Sequence, residues 1–287
     1  MEKAILKTLI YADIFDYPLK AYEIHKWLIG RKTSLRQVEK TLERLNQESR
    51  IRKHGAYYFL PKRVRLVIIR KRREKQSGKF LLKTKIASWF LKVIPWVKLV
   101  GISGGLAMGN ADKKDDIDLF LVTSKNRLWI TRLLTVGLLD FLGVRRKAKM
   151  KLSVVSGKLC VNILLEEDKL TQDSKDIFVS HEVLQMKVLW QRYGIYSKYL
   201  TDNEWAFKFL PNWTTSQVKS AKFKVQSERS KFKVFDFMDN LAKKFQLKIM
   251  NKPKGMERIE DGALYFHPQD CRLKVLKEYN LRIKKLY

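Results

Sequence analysis

The chain has 287 residues and 45% of them are hydrophobic, so it can form two or three domains with sizeable cores. Lys and Arg number 60 against 29 Asp and Glu, a formal net charge of +31 that favours contact with phosphate backbones or anionic membranes, and nucleic acid is the first partner to consider. The two cysteines, Cys160 and Cys271, form neither a C-x-x-C pair nor a zinc set with the four histidines, which excludes a zinc domain and predicts a reducing cytoplasm.

The first 62 residues predict a small helical unit. Apolar residues recur at helical spacing from Ile5 to Ile10, and a second helix is predicted over 21–28. A third helix begins at the capping residue Ser34 and has an apolar stripe from Leu35 to Leu45. The stretch 50–60 then predicts two short strands about a His-Gly turn.

Three helices followed by a basic hairpin resemble the winged helix-turn-helix family. In that family the third helix enters the major groove and the hairpin lies on the nucleic-acid backbone, so the resemblance implies nucleic-acid contact through Arg36, Lys40 and Arg44. Winged domains also serve as protein–protein modules, and solvated helix charges would give the same pattern. Both interpretations therefore stay open.

Residues 63–100 are the most basic part of the chain, with twelve Lys and Arg against Glu74 alone. Residues 63–78 are expected to form a basic helical linker whose Arg70, Arg72 and Arg73 are candidates for nucleic-acid contact. Ser77-Gly78 predicts a break between this linker and the next domain.

A glycine-rich stretch followed by two acids occupies the centre of the chain. A buried strand is expected over 99–103, then a turn at Gly104 and Gly105, then a second strand over 117–122 with Asp116 and Asp118 at its head. Strand side chains alternate, so the two carboxylates point the same way and repel each other. Mg²⁺ or Mn²⁺ between them would relieve this repulsion.

The glycine turn about ten residues before D-x-D resembles the motif of polymerase-β-type nucleotidyltransferases. The resemblance implies a mixed sheet with flanking helices over 79–192. It also implies metals held by Asp116 and Asp118, and a nucleoside triphosphate whose phosphates meet the backbone of Gly104 and Gly105. A glycine turn next to an acidic strand end, with no functional role, would give the same sequence pattern.

Two positions depart from that family's pattern. Asn162, in the predicted strand 158–165, stands where the family usually has a third acid, and it is expected to share a strand face with Cys160 and Leu164. An amide can offer oxygen to a metal but cannot accept a proton from the attacking hydroxyl. Gly105 replaces a serine that the family uses on the triphosphate.

The remaining segments are mainly helical. A helix over 127–142 includes Arg132 and Asp140, so no membrane span is expected, and phosphate contact is a hypothesis for the basic stretch that begins at Arg145. A helix over 176–192 contains His181 and Glu182, which could approach the nucleotide, although for His181 a structural role is favoured. Within a helical, basic region over 193–287 we expect a linker over 216–233 and helices over 232–250 and 273–287.

The sequence thus predicts an α+β protein with domains at 1–62, 63–78, 79–192 and 193–287. The favoured function is a Mg²⁺-dependent nucleotidyltransferase that moves a nucleoside monophosphate to a hydroxyl of RNA, DNA or protein. The alternative is a catalytically inactive protein of that fold that acts as a nucleic-acid-binding regulator. Adenylylation of aminoglycosides, known in the same superfamily, ranks last because a chain at +31 repels polycations.

Overall fold

The computed structural model describes residues 1–147, 155–214, 233–250, 256–267 and 271–286. Within these residues it contains eleven helices, nine strands, a three-stranded sheet and a mixed six-stranded sheet. The predicted α+β class is confirmed. None of the helices in the described part of the chain has the length and apolarity that crossing a bilayer requires.

The N-terminal unit has the expected three helices and hairpin. Its elements are α1 (Glu2–Asp13), β1 (Leu19–Lys20), α2 (Ala21–Lys26), α3 (Leu35–Gln47), β2 (Arg52–His54) and β3 (Tyr57–Phe59). The hydroxyl of Ser34 caps α3 by accepting the N–H of Gln37 at 3.3 Å. The short strand β1 pairs with β3 and gives the strand order β1-β3-β2.

Helix α4 (Leu66–Leu91) runs without interruption through Ser77 and Gly78, so the predicted break is wrong. Ser77 is only 1% exposed, and its hydroxyl accepts the N–H of Ala111 at 3.0 Å. This contact fixes the middle of α4 against the loop that leads into the acidic strand. The predicted boundary between 78 and 79 therefore falls inside one helix.

The six-stranded sheet combines residues from three parts of the chain. Its strands are β4 (Val97–Ile102), β5 (Ile117–Thr123), β6 (Leu159–Glu166), β7 (Lys187–Gln191), β8 (Met256–Glu260) and β9 (Ala263–His267). The order is β7-β4-β5-β6-β9-β8, with β5 and β6 parallel and the other neighbours antiparallel. The predicted helix over 176–192 is wrong beyond Gln185, because the following residues form β7.

Helices cover both faces of this sheet. Because strand side chains alternate, successive residues of a strand pack into two separate hydrophobic cores. On the first face, Phe120 and Val122 of β5 pack with α7 (Ile177–Gln185) and α8 (Ile195–Asp202). The same face is covered by α9 (Ala206–Phe209), α11 (Cys271–Lys284) and, from the N-terminal unit, α1.

On the opposite face, Leu119 and Leu121 pack with the second half of α4, with α6 (Leu128–Phe141) and with α10 (Lys233–Met250). The helices predicted over 127–142, 232–250 and 273–287 are present. The C-terminal region also contains the β8–β9 hairpin, which was not expected. Most of the predicted linker over 216–233 lies outside the described residues.

Candidate functional site

Asp116 and Asp118 are brought together at the start of β5, as the alternation of side chains requires. Asp118 lies opposite Cys160 of the parallel strand β6, so these two side chains share a face. One carboxylate oxygen from each aspartate and the Sγ atom of Cys160 all lie within 4.8 Å of one another. The third member of this group is therefore a thiol, which the sequence pattern did not indicate.

Asp116 already has a protein cation as its partner. A guanidinium N–H of Arg146 donates to its carboxylate, and the backbone N–H of Arg146 donates to the carbonyl oxygen of Leu159 at 2.8 Å. Arg146 belongs to the basic stretch for which phosphate contact was hypothesised. Its guanidinium group instead forms an ion pair with Asp116.

Asp118 is the aspartate of this pair that lines a cavity. Its pKa is raised to about 7, chiefly by burial and then by the neighbouring carboxylates of Asp116 and Glu182, against the opposing effect of Arg146. Near neutral pH this carboxyl group is thus poised between its charged and neutral forms, and a bound cation would favour the charged one.

The glycine turn after β4 forms the short helix α5 (Gly104–Ala107) beside these acids. Gly104 has a φ of +61°, and a Cβ atom there would lie 3.4 Å from Oδ2 of Asp118. Glycine is required at this position for its backbone conformation and is favoured by the closeness of the carboxylate. Gly104 and Gly105 both line the cavity with Asp118.

Glu182, on α7, is a residue that the sequence indicated could approach a nucleotide but to which it assigned no role. Its carboxylate accepts the backbone N–H of Gly104 and a side-chain N–H of Gln185, while burial raises its pKa to about 7. Glu182 is the only charged residue of α7, whose other positions are mainly apolar. A lone acid on a buried helix is the feature that could have identified it.

Its neighbour His181 has a structural position, as favoured. The imidazole stacks on Tyr11 with ring centroids 4.2 Å apart and lies 5.2 Å from the ring of Trp27. Burial lowers its pKa to about 3, so the ring is neutral. His181 thereby joins α7 to the N-terminal unit.

A β-bulge gives Asn162 a different neighbourhood from the one expected. Val161 pairs with Leu119 and Ile163 with Phe120, so Asn162 is an extra residue in β6. The extra residue turns Leu164 to the opposite core, which corrects the prediction that Asn162 and Leu164 share a face.

The amide of Asn162 lines the same cavity as Asp118 and is 4% exposed. Its Oδ1 atom accepts no hydrogen bond from any residue that the structure describes. A buried carbonyl oxygen without a donor is energetically costly, and a cation or a ligand N–H would satisfy it.

The cavity lies between the N-terminal unit and the sheet and has a volume of about 500 Å³. Asp118, Asn162 and Glu182 lie on its sheet side. Aromatic side chains form much of the remaining wall, namely Tyr11, Phe15, Tyr17, Trp27, Phe178 and Tyr265. Two cations also reach it: Arg272, which pairs with Asp176 at 2.6 Å, and Arg258, which pairs with Glu260 at 2.6 Å.

Models of known protein families and the sequences of curated proteins give no match to this chain. The resemblance to polymerase-β-type nucleotidyltransferases therefore depends on the glycine turn, the two aspartates and their strand context. The geometry described above is what any functional proposal has to use.

The three predicted nucleic-acid-binding residues of α3 differ from one another in whether they form ion pairs. Arg36 and Lys40 are exposed. Arg44 is exposed too, but its guanidinium pairs with Glu2 and lies 3.8 Å from Glu48. Arg36 and Lys40 are the two of this set for which no ion pair is found among the described residues.

On α4, Arg70 is not available for nucleic acid, which corrects that prediction. It is 3% exposed, pairs with Glu23 and Glu74 at 2.8 Å each, and stacks 3.6 Å from the ring centre of Tyr17. Its ion-pair partner Glu23 lies 47 residues away, so the local basic run gave no indication of its burial.

The other two arginines of α4 lie beside the loop that precedes β5. Arg72 is exposed and pairs with Asp112 at 3.0 Å. Arg73 is mostly covered, and its guanidinium donates to the carbonyl oxygen of Phe15 and to Oδ1 of Asn110 at 3.3 Å each. Arg73 thus links α4, the N-terminal unit and the loop before the aspartates.

Proposed function

We propose that this chain is a Mg²⁺-dependent nucleotidyltransferase that transfers a nucleoside monophosphate from a nucleoside triphosphate to a hydroxyl acceptor. The observation that supports the proposal most is the convergence of Asp118, the Gly104 backbone and Glu182 at one side of an aromatic-walled cavity of about 500 Å³. A pocket of this size, largely apolar with a few convergent polar groups, is typical of small-molecule sites.

The donor set fits a hard divalent cation. Asp116, Asp118 and the unpartnered Oδ1 of Asn162 would supply the oxygen ligands that Mg²⁺ prefers. Cys160 would contribute no charge, because burial and both aspartates raise its pKa to about 12. When bound, the metal would supply charge neutralisation at the phosphates, and Arg146 would share Asp116 with it.

The other cavity residues suit the two ends of a nucleotide. Backbone N–H groups of the turn at Gly104 and Gly105 can donate to phosphate oxygens. The rings of Tyr11, Trp27 and Phe178 line the same cavity and offer stacking surfaces for a nucleobase. The turn would thus bind the phosphates and the rings would bind the base within one cavity.

Glu182 provides the proton acceptor that Asn162 cannot. Its raised pKa of about 7 lies near neutral pH, which suits a general base for an acceptor hydroxyl. The function of the family's third acid would thus be divided between two residues. The Asn162 amide would offer an oxygen, and Glu182 would take the proton.

Two observations favour a second candidate, a catalytically inactive protein of this fold that acts as a nucleic-acid-binding regulator. The Glu182 carboxylate occupies the Gly104 N–H that a phosphate would need, and Arg146 occupies Asp116. In this candidate the contacts to nucleic acid would come from Arg36, Lys40 and the basic hairpin strand β2, and the cavity would bind no triphosphate. For both candidates we infer a cytoplasmic location, consistent with the free thiols of Cys160 and Cys271.

A transfer assay separates the two candidates. The full-length protein is incubated with each nucleoside triphosphate labelled at the α-phosphate, with Mg²⁺ or Mn²⁺, and with bulk RNA, DNA or the protein itself as acceptor. The proposal expects label in one acceptor with wild type and none with Asp118→Asn. Asp112→Asn is the matched control, because this acid precedes the same strand but contacts Arg72 outside the cavity.

The same preparations are then tested for binding of labelled triphosphate in the presence of metal. Salt-sensitive RNA binding with neither transfer nor metal-dependent triphosphate binding would establish the inactive regulator instead.

A further inference from the structure

The three helices on the face opposite the cavity present an apolar outer surface, and we propose that this surface docks the protein on an anionic phospholipid bilayer. We call it the outer helical face. Its exposed apolar residues are Leu82, Ile86, Trp89 and Val93 in and just after α4, Leu133, Leu134 and Phe141 in α6, and Val234, Phe237, Leu241, Phe245 and Ile249 in α10.

These residues point in one direction because the opposite sides of the same helices share one core. Leu91 of α4, Leu139 of α6 and Ala242 of α10 are all buried against the sheet residues Leu119 and Leu121. Helix α6 packs against both α4 and α10. The sides turned away from the sheet therefore form one continuous surface.

The exposed hydrophobic residues of this face are grouped on three adjacent helices and are not scattered singly over the surface. Phe141 is 87% exposed, and Phe237, Ile249 and Val93 are each 70% or more exposed. On α10 the residues recur four apart from Phe237 through Leu241 and Phe245 to Ile249, which makes a stripe along one side of the helix. Large contiguous patches of this kind mark interaction surfaces.

The charge on the outer helical face is positive. Lys244 and Lys248 are exposed beside the α10 stripe. Lys79 and Lys85 in α4, and Lys92 just after it, belong to the same part of the chain as the exposed apolar residues of α4.

The acids of these helices are directed elsewhere. On α10, Asp236 pairs with Arg127 at 2.5 Å, and Asp239 accepts the N–H of Ile130 at 2.9 Å. On α6, Asp140 pairs with Arg145 at 2.8 Å. No acid lies in α4 after Glu74. The outer helical face is thus left cationic as well as apolar.

A bilayer surface supplies both complements at once. Helices that lie in the interface bury an apolar side at the boundary between headgroups and acyl chains, while lysines beside it meet anionic headgroups. Nucleic acid offers phosphates for the lysines but nothing that would bury a row of Leu, Ile and Val side chains. A second copy of this chain would bring like charge against like charge.

Cosedimentation with lipid vesicles tests the proposal on the full-length protein. We expect binding to vesicles of phosphatidylcholine with phosphatidylserine, and binding weaker by about tenfold or more to phosphatidylcholine alone. The combined variant Phe237→Gln, Leu241→Gln and Phe245→Gln should lose at least about tenfold in affinity for the anionic vesicles. These side chains are 54–70% exposed, so the variant should fold with an unchanged circular-dichroism spectrum.

The matched control is Leu273→Gln with Leu281→Gln, which removes two exposed apolar residues of α11 on the other side of the sheet. This variant should bind like wild type. A second readout is quenching of Trp89 by brominated lipid, taken as the difference between wild type and Trp89→Phe, and we expect that difference to be clear.

Several results would overturn the proposal. One is the absence of vesicle binding by wild type, and another is equal loss in the α10 and α11 variants. Self-association that only the α10 variant lacks would identify a second copy as the occupant. RNA binding that only the α10 variant lacks, without vesicle binding, would identify nucleic acid.

Discussion

The two faces of the six-stranded sheet differ in the chemical character of the residues on and above them. The first face contains Asp118, Asn162 and Glu182, covered by α7 and by the N-terminal unit, and the pKa values of both acids are raised to about 7. The second face is covered by three helices whose outer surface is apolar and cationic. Although the chain has a net charge of +31, no lysine is among the described residues that line the cavity with Asp118 and Glu182.

This separation has a chemical consequence. Lysines close to Asp118 and Glu182 would lower the pKa values of both carboxyl groups and remove the demand for a bound cation. Among the described residues, Arg146 is the cation hydrogen-bonded to the aspartate pair. In the two proposals, the face that contains Asp118 and Asn162, the covered face, would perform the chemistry, and the outer helical face would attach the protein to a membrane.

The largest expected effect is on the covered face, at Asp118. If this carboxylate holds metal, Asp118→Asn should reduce transfer below detection, while Asp112→Asn retains it. The variant should also be more stable at pH 8 than wild type. A carboxyl group with a raised pKa contributes stability that is full below its ordinary pKa and is lost as pH rises through about 7.

Thermal unfolding at pH 5 and pH 8 measures the stability change, with a gain of about 2–4 °C for each kcal/mol of relieved repulsion. A lower unfolding temperature at pH 8 would mean that Asp118 is a structural residue and that the covered face has no catalytic role for it.

Glu182 should give the next largest effect. As a general base it would contribute about 10²–10⁴-fold to the rate, so Glu182→Gln should reduce turnover by that factor while triphosphate binding persists. The wild-type rate should rise with pH through about 7 as the carboxyl group loses its proton, and the variant should lack this rise.

Glu204→Gln, an exposed acid in the loop before α9, is the control for Glu182. An unchanged pH profile in Glu182→Gln would assign the proton transfer to another group. Stability gives an independent measurement, because loss of the raised-pKa carboxyl should stabilise the variant more at pH 8 than at pH 5.

Sequence patterns predicted those helices and strands, on both sides of the sheet, whose apolar residues recur with a clear local period. Helices α1, α3 and α6 and strands β5 and β6 follow from apolar spacing and caps. Strand β7 was mistaken for helix because its short apolar run, Val188 to Trp190, has no distinguishing period, and only pairing with β4 decides it. Ser77 and Gly78 were likewise mistaken for a break. The hydrogen bond from the Ala111 N–H to the Ser77 hydroxyl, which holds this part of α4, comes from a residue distant in sequence.

The local motif and the resemblance that rests on it named Gly104, Asp116, Asp118 and Asn162 as site residues, but how Asn162 and Glu182 approach the others in space could not be read from one sequence. The turn at Gly104 and the pair Asp116 and Asp118 belong to one motif. Glu182 reaches the site from α7, and the bulge at Asn162 depends on register with β5. Contacts of this kind are set by tertiary packing and leave little trace in a single sequence.

Arg70 offers a test of how the covered face is closed. Replacing it with methionine should destabilise the protein by about 3–5 kcal/mol, because Glu23 would be left buried without its partner. Arg72→Met, an exposed neighbour on the same helix, should change stability by less than about 0.5 kcal/mol. Urea denaturation measures both, and equal small effects would show that the first half of α4 does not anchor the N-terminal unit.

The smallest expected effect is at Asn162. Asn162→Asp adds a carboxyl group to the cavity side that already holds Asp118, so without metal the unfolding temperature at pH 8 should fall by about 2–4 °C, equivalent to roughly 1 kcal/mol. Mg²⁺ or Mn²⁺ should restore it and raise turnover, because a third carboxylate strengthens the cation site. Asn280→Asp, an exposed change on α11, should show neither effect. If added metal leaves the Asn162→Asp protein as unstable as before, the oxygen atoms at this side of the cavity do not form a cation site, and the inactive regulator becomes the better account of the covered face.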